Sequence, residues 1–355
     1  MMSKIKKQYQ AGLKIYSESI KNKRKTDRIF DGMQSQLQKI NKFAARELHN
    51  VLNSNLKKLD IEDGRVKTTS NNLAVLSDIL VGVDRIQNVY IDKYKQVLGQ
   101  NRTKLFDLSN EKTNKLNDIY ESIGFQAINT ELSTEALEQV EITDKISNER
   151  ISSILDKWRN FVRDTFNNGV SSNVPIAEFK ERFFQKNGHV KIGSSLDEES
   201  EVEALIRASE ERTKYQVDQA QQNGYDCCWN SNPMDNRTKP ECIEATAVGV
   251  VPKSQMQSDH GFPPRHICRC DLTFTRCEWK VVNAGINYAI NESRLRLIDK
   301  IESDPKSYKK TDPDELYQAS KDQIRVAKNT QPEFLLIPEQ IEQIENGTLD
   351  INDVL

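Results

Sequence analysis

The sequence predicts a mainly α protein with a long N-terminal helical, coiled-coil-like region, a small central α+β module rich in Cys and His, and a helical C-terminal tail. Three observations carry this. The first of ten prolines is Pro175, so the preceding residues are free of the strongest helix breaker. Apolar residues recur at steps of three and four over long stretches. Only 36% of the chain is apolar while 29% is charged, a balance that suits helices with wide solvated faces better than one large globular core.

The N-terminal region is expected over residues 1–146. Ile5, Tyr9, Leu13, Tyr16 and Ile20 form one amphipathic stripe. Leu76, Ile79, Val83, Ile86, Tyr90, Tyr94 and Val97 follow a near-heptad rhythm, which fits either a self-association seam or an intrachain hairpin. Turn chemistry at Asp63-Gly64, Thr68 to Asn72 and Gly99-Gln100-Asn101 predicts breaks. Residues 1–60 hold fourteen Lys and Arg against five Asp and Glu, and Lys21, Lys23, Arg24, Lys25 and Arg28 are the densest run. Such a face is either solvated or neutralises nucleic-acid phosphates, so these five residues are the candidates for DNA contact.

The central module is expected over 147–282. Ile151, Ile154, Leu155, Trp158, Phe161 and Val162 make an apolar helix face that Asn167-Asn168-Gly169 should end. Pro175 opens a helix with Phe179 and Phe183 at i and i+4, and Leu196 to Gln222 reads as another. Thr246–Val251 and Cys270–Phe274 read as short strands. The last region, 283–355, is helical, and from Gln331 onward it carries six acidic residues and no basic one.

No run of some twenty apolar residues is present, and MMSKIKKQYQ leads into no apolar segment, so neither a membrane span nor a secretory signal is expected. In a cytosolic setting the six cysteines are expected as thiols or metal ligands. Five of them fall between Cys227 and Cys270, together with His260 and His266. If the HICRC segment is extended, His266, Cys268 and Cys270 share a face. Same-face neighbours on a straight strand lie about 7 Å apart, whereas zinc holds sulfur at about 2.3 Å, so the segment would have to kink. Cys242 would complete a four-ligand zinc set, with Cys227 or Cys228 as alternatives for the fourth ligand. The other reading is a small core of buried, reduced cysteines. Asp235, Arg237 and Thr238 brace a loop or, alternatively, supply an acid and a phosphate-binding guanidinium. Trp229 and Trp279 are expected to wall a core rather than to stack on a ligand.

In order and spacing, Trp229, Asp235, Arg237, Thr238, Cys242, Pro263, Pro264, His266, Cys268, Arg269 and Cys270 resemble the phage head-morphogenesis family, the Mu-F-like minor head proteins, over roughly residues 147–280. The chain differs from that pattern in having only Ile267 between the last His and the next Cys, no close partner for Cys242, and Ala208-Ser209-Glu210 in the preceding helix. The resemblance implies a low-copy, non-enzymatic virion protein at the capsid interior or portal vertex, present in the host cytoplasm during assembly. Its implied partners are portal and capsid proteins and packaged double-stranded DNA. Its implied work is head assembly and DNA packaging, with ejection alongside the genome, and no catalytic residue follows from it. Two other functions fit the residues: a nucleic-acid-binding zinc-module protein outside any virion, and a metal- or cysteine-dependent hydrolase in which a cysteine pairs with His260 or His266.

Overall fold

The fold is given by a computed structural model that describes residues 3–127, 134–185, 190–191, 193–235, 238–260, 271–304, 313–332 and 335–355, with backbone only at 134–144, 146–147, 193–198, 257–260 and 313–317. It is mainly α. In chain order the elements are α1 (Lys4–Asn55), β1 (Ile61–Glu62), β2 (Arg65–Val66), α2 (Ser70–Ser122), α3 (Thr134–Ser171), α4 (Ile176–Phe183) and α5 (Gly193–Gln222). There follow β3 (Cys227–Asn230), α6 (Pro240–Ala247), β4 (Val251–Pro252), α7 (Lys253–His260), β5 (Leu272–Thr275), α8 (Lys280–Ser303), α9 (Pro313–Asn329) and α10 (Pro338–Glu345). Among the described residues no helix is long and apolar enough to cross a membrane.

The chain forms two compact units, each assembled from separate segments: Met1–Ile29, Lys104–Leu137 and Ser209–Leu355 in one, Phe30–Thr103 and Glu138–Ala208 in the other. The boundaries expected at 146/147 and 282/283 fall inside α3 and α8.

In the second unit the heptad-like stripe does what its period requires. Leu76, Ile79, Val83, Ile86, Tyr90, Tyr94 and Val97 are all buried. The Tyr90 hydroxyl donates to Asn41 Oδ1 at 2.6 Å and lies 2.7 Å from Ser200 Oγ, so partners within the chain account for this stripe. Gly82 lets α1 come close, since a methyl group there would stand 2.6 Å from Val51 Cγ1. The Asp63-Gly64 turn is a two-residue hairpin with both residues at positive φ, 50° and 72°, the combination that matches the twist of paired strands.

Two expected breaks are absent. α2 runs through Gly99-Gln100-Asn101, because the glycine's cost of about 1 kcal/mol is offset where Asn101 Nδ2 donates to the Val97 carbonyl at 2.7 Å and to Gln36 at 3.1 Å. α3 continues past Gly169 to Ser171. The glycine is there for packing: a methyl group would collide with the Phe179 ring at 2.4 Å, and that ring meets Phe166 edge-on at 5.3 Å.

The first unit is organised around a three-stranded antiparallel sheet of order β4-β3-β5. Of the strand expected at Thr246–Val251, Thr246 and Ala247 end α6, Val248 to Val250 lead out of it, and pairing is confined to Val251–Pro252. The strand expected at Cys270–Phe274 is Leu272–Thr275. α6 and α7 pack on β3, and α9 packs on α6 and α8. The start of α1 meets α8 at a glycine contact. A methyl group on Gly12 would lie 2.2 Å from the Val282 carbonyl oxygen, and one on Gly285 would lie 2.4 Å from that of Tyr9. The acidic tail docks in cis, burying Leu336 and Ile341 against Tyr9, Val281 and Ala284.

Candidate functional site

The four residues of β3, Cys-Cys-Trp-Asn, are all buried, and the cross-strand register is Cys227 with Thr275, Cys228 with Phe274, Trp229 with Thr273 and Asn230 with Leu272. Trp229 is fully buried and stacks on Tyr16 of α1 with ring centroids 5.4 Å apart. The Tyr16 hydroxyl donates to Ser293 Oγ of α8 at 2.6 Å. Trp279 is 9% exposed and stacks on Phe125. Both tryptophans therefore wall a core.

Beyond β3 the chain turns into α6 through a hydrogen-bonded loop. The Ser231 N–H donates to the Asp271 carbonyl at 2.7 Å. Asn232 Nδ2 donates to Thr246 Oγ1 at 3.1 Å, and Thr246 Oγ1 donates to the Cys242 carbonyl at 2.8 Å. Asp235 and Thr238 close on one another, with the Thr238 N–H on the Asp235 carbonyl at 3.0 Å and the Thr238 hydroxyl 3.3 Å from Asp235 Oδ1. Gln323 of α9 donates to the Thr238 carbonyl. These contacts are those of a brace.

Of the expected zinc ligands, Cys242 is a half-buried thiol in the first turn of α6. His266, Cys268 and Cys270 lie outside the described residues, as do Arg237, Pro263, Pro264 and Arg269, and the His260 side chain is not described. The alternatives for the fourth position fare poorly. Cys227 forms a disulfide with Cys277, which corrects the expectation that all six cysteines are thiols or ligands. The cause is register: pairing Cys227 with Thr275 brings the turn that follows β5 back onto Cys227. A disulfide sulfur offers no thiolate to a metal. Cys228, next along the strand, faces the opposite way, and burial pushes its thiol up to about 12, so it is neither a ready thiolate ligand nor a nucleophile. Beside the disulfide, Asp226 Oδ1 accepts from the Cys277 N–H at 2.9 Å.

Sequence reasoning missed a buried charge cluster behind β5. Lys112 of α2 is 5% exposed and Asp271 fully buried. Lys112 Nζ donates to Asp271 Oδ2 at 3.2 Å, to the Leu272 carbonyl at 2.7 Å and to Thr273 Oγ1 at 3.2 Å. Gln216 of α5 donates to the other carboxylate oxygen. Burial opposes ionisation of Asp271, yet Lys112, Arg212 and the Gln216 hydrogen bond together outweigh it and hold the carboxyl below its ordinary value. The signal in the sequence was a lone Lys112 between Glu111 and Thr113, indistinguishable there from a surface lysine.

The five basic candidates on α1 divide. Lys23 is 3% exposed and paired with Asp27, which removes it from any outward cationic face. Lys21 pairs with Glu18 and Lys25 with Glu111, each at 2.6 Å. These are surface pairs of the kind worth about 0–1 kcal/mol, so they exchange readily for other anions. Arg24 and Arg28 are exposed. Lys21 and Arg24 also border a groove of about 670 Å³ between α1 and α8, floored by the Pro233–Asp235 turn.

Comparison of the chain with protein-family models, with curated proteins and with solved structures finds no match in any of the three.

Proposed function

We propose that the protein is a bacteriophage minor head protein that works at the portal vertex or capsid interior in head assembly and DNA packaging and leaves with the genome. The observation that carries the proposal is the ordered set Trp229, Asp235, Arg237, Thr238, Cys242, Pro263, Pro264, His266, Cys268, Arg269 and Cys270. Supporting it, Trp229 lies in β3, Asp235 and Thr238 hydrogen-bond to one another, and Cys242 lies in the first turn of α6, with contacts of a structural kind: a buried ring stack, a brace and a helix start.

The decisive experiment is mass spectrometry of purified phage particles together with pull-down on the portal protein of the same particles. The expected result is the chain at low copy in particles and retained by portal. Its absence from particles would sink the proposal.

Zinc is part of the same proposal. Cys242, His266, Cys268 and Cys270 would hold the segment between α7 and β5 against α6, and of these four Cys242 is the one within the described residues. About one zinc per chain, lost when Cys242 and Cys268 are replaced by Ser, is the expected metal analysis. Metal-free protein with unchanged melting would refute it. The phosphate-neutralising role rests on Arg24 and Arg28, with Lys21 and Lys25 released from their surface pairs. Deletion of residues 1–60 would remove part of both units, so charge reversal of Arg24 and Arg28 is the cleaner variant. It should weaken DNA binding and flatten its salt dependence, and unchanged binding would leave the charge excess as a solvated face.

A further inference from the structure

The groove between α1 and α8 shares Lys21 and Arg24 with the proposed DNA contact, and adds to them a cationic edge on α8 and an apolar lining that phosphate contact does not use. Its rim carries four cations, Lys21 and Arg24 from α1 and Arg296 and Lys300 from α8, against two carboxylates, Glu292 and Asp235. Arg24, Arg296 and Lys300 have no carboxylate partner among the described residues, and all three are exposed. Its partly exposed apolar lining is Leu13, Tyr288 and Ala289, and Ile20, Met234 and Leu297 beside them are buried in the core. Met234 is 4% exposed and stands at φ 47°, a left-handed conformation that a side chain other than glycine's adopts only at an energetic cost.

We infer that this groove is the docking site for an acidic, amphipathic segment of a partner protein, with the partner's apolar side chains on the Leu13, Tyr288 and Ala289 strip and its carboxylates on Arg24, Arg296 and Lys300. Two physical arguments select this occupant. A cationic rim around an apolar floor matches a segment with one acidic and one apolar face, the arrangement used in groove recognition of peptide helices. A nucleic acid would leave the apolar strip unfilled. Single-strand binding also needs a series of aromatic platforms on which bases stack, and of the two aromatics in the lining Tyr16 is taken up by Trp229 and Ser293 while Tyr288 leans on Tyr9. Glu292 and Asp235 add selection, since a segment docked out of register would place carboxylate against carboxylate. The inference stands on the groove itself and is independent of the virion assignment.

The test is fluorescence anisotropy with three labelled probes on the full chain: a peptide of repeating Leu-Glu-Asp-Leu, its counterpart of repeating Leu-Lys-Lys-Leu, and an oligodeoxythymidylate. The acidic peptide is expected to bind, to weaken with added salt, and to lose at least about tenfold in affinity in the Arg24→Glu, Lys300→Glu double variant. Reversal of two exposed cations elsewhere, Lys57→Glu with Arg85→Glu, should leave it unchanged. The neutral pair Arg24→Gln, Lys300→Gln, with circular dichroism matched to the parent, supplies the same comparison if charge reversal disturbs folding. Absence of acidic-peptide binding overturns the inference, as does equal binding of both peptides or an affinity indifferent to the groove substitutions. Tighter binding of the oligonucleotide with the same losses would assign the groove to nucleic acid instead.

Discussion

Replacement of Lys112 by methionine tests the claim that the first unit is held together by a buried ion pair. Methionine keeps nearly the length and volume of the lysine stem, so the perturbation is electrostatic and leaves little cavity. Three donated hydrogen bonds disappear, to Asp271, to the Leu272 carbonyl and to Thr273. Charge-assisted bonds of this kind contribute about 1.5–3 kcal/mol each, but they share one ammonium group and do not add. The better guide is the cost of stranding one member of a buried pair, about 3–5 kcal/mol. Gln216 still donates to Asp271 and the Arg212 charge still acts on it, which places the expected loss near the lower end, about 3 kcal/mol. At a urea m-value of about 2 kcal/mol/M that is a midpoint lower by about 1.5 M. The unit holds Trp229 and Trp279 while Trp158 belongs to the other, so the measurement is tryptophan fluorescence in a Trp158→Phe background. Asp271→Asn and the double variant complete a cycle whose coupling should be about 1–3 kcal/mol. A loss below about 1 kcal/mol, or strictly additive single effects, would refute the reasoning.

Three further outcomes are expected. Cys277→Ser should cost about 4 kcal/mol, the chain-entropy value for a crosslink spanning a sequence separation of 50, and a dithiol reductant should lower the wild-type melting temperature to that of the variant; identical melting with and without reductant would show that Cys227 and Cys277 are thiols in solution. Gly285→Ala drives a methyl group to 2.4 Å from the Tyr9 carbonyl oxygen and should cost about 3 kcal/mol by overpacking against rigid backbone, whereas Gly99→Ala, with nothing within 4 Å, should stabilise α2 by about 0.5–1 kcal/mol; thermal melts that rank the two the other way would contradict the helix contact. Because the Asp271 carboxyl is held below its ordinary value, its stabilising contribution is present above the unfolded value of about 3.9 and is lost as pH falls through the lower folded value. Urea titrations below pH of about 4 should therefore show wild type losing its advantage over Asp271→Asn, and an advantage that stays constant as the pH is lowered further would remove the basis for the shift.

Helices were legible where their cause is local. The 3.6-residue period of Leu76 to Val97, the absence of proline before Pro175 and the Phe179/Phe183 pair each state a buried face in the residues themselves, and those faces are buried. Ends were less legible. Gly99 and Gly169 carry the signature of a stop, but a neighbouring helix supplies Gln36 to one and a packed Phe179 ring to the other, and tertiary contact outweighs a propensity of about 1 kcal/mol. The short strands were placed within a few residues only, because β4 has two residues and is defined by its partner rather than by its own composition.

The candidate site divides along the same line. The residue order from Trp229 to Cys270 is a linear property, and it alone carries the minor head proposal. Which cysteines meet is not linear. The disulfide joins positions 50 apart and the buried ion pair positions 159 apart, and such partners are chosen by strand register and helix packing that no spacing rule encodes. The same applies to Lys23, which reads as one cation among many until the helix turns it inward beside Asp27. The sequence by itself determined that the protein is mainly α, where its amphipathic faces run and which residues cluster between Cys227 and Cys270. Only the tertiary structure decided that Cys227 is crosslinked while Cys228 and Cys242 are thiols, which charges are buried and where an open cationic groove remains, because these depend on contacts between segments distant in the chain, whose closure is set by packing.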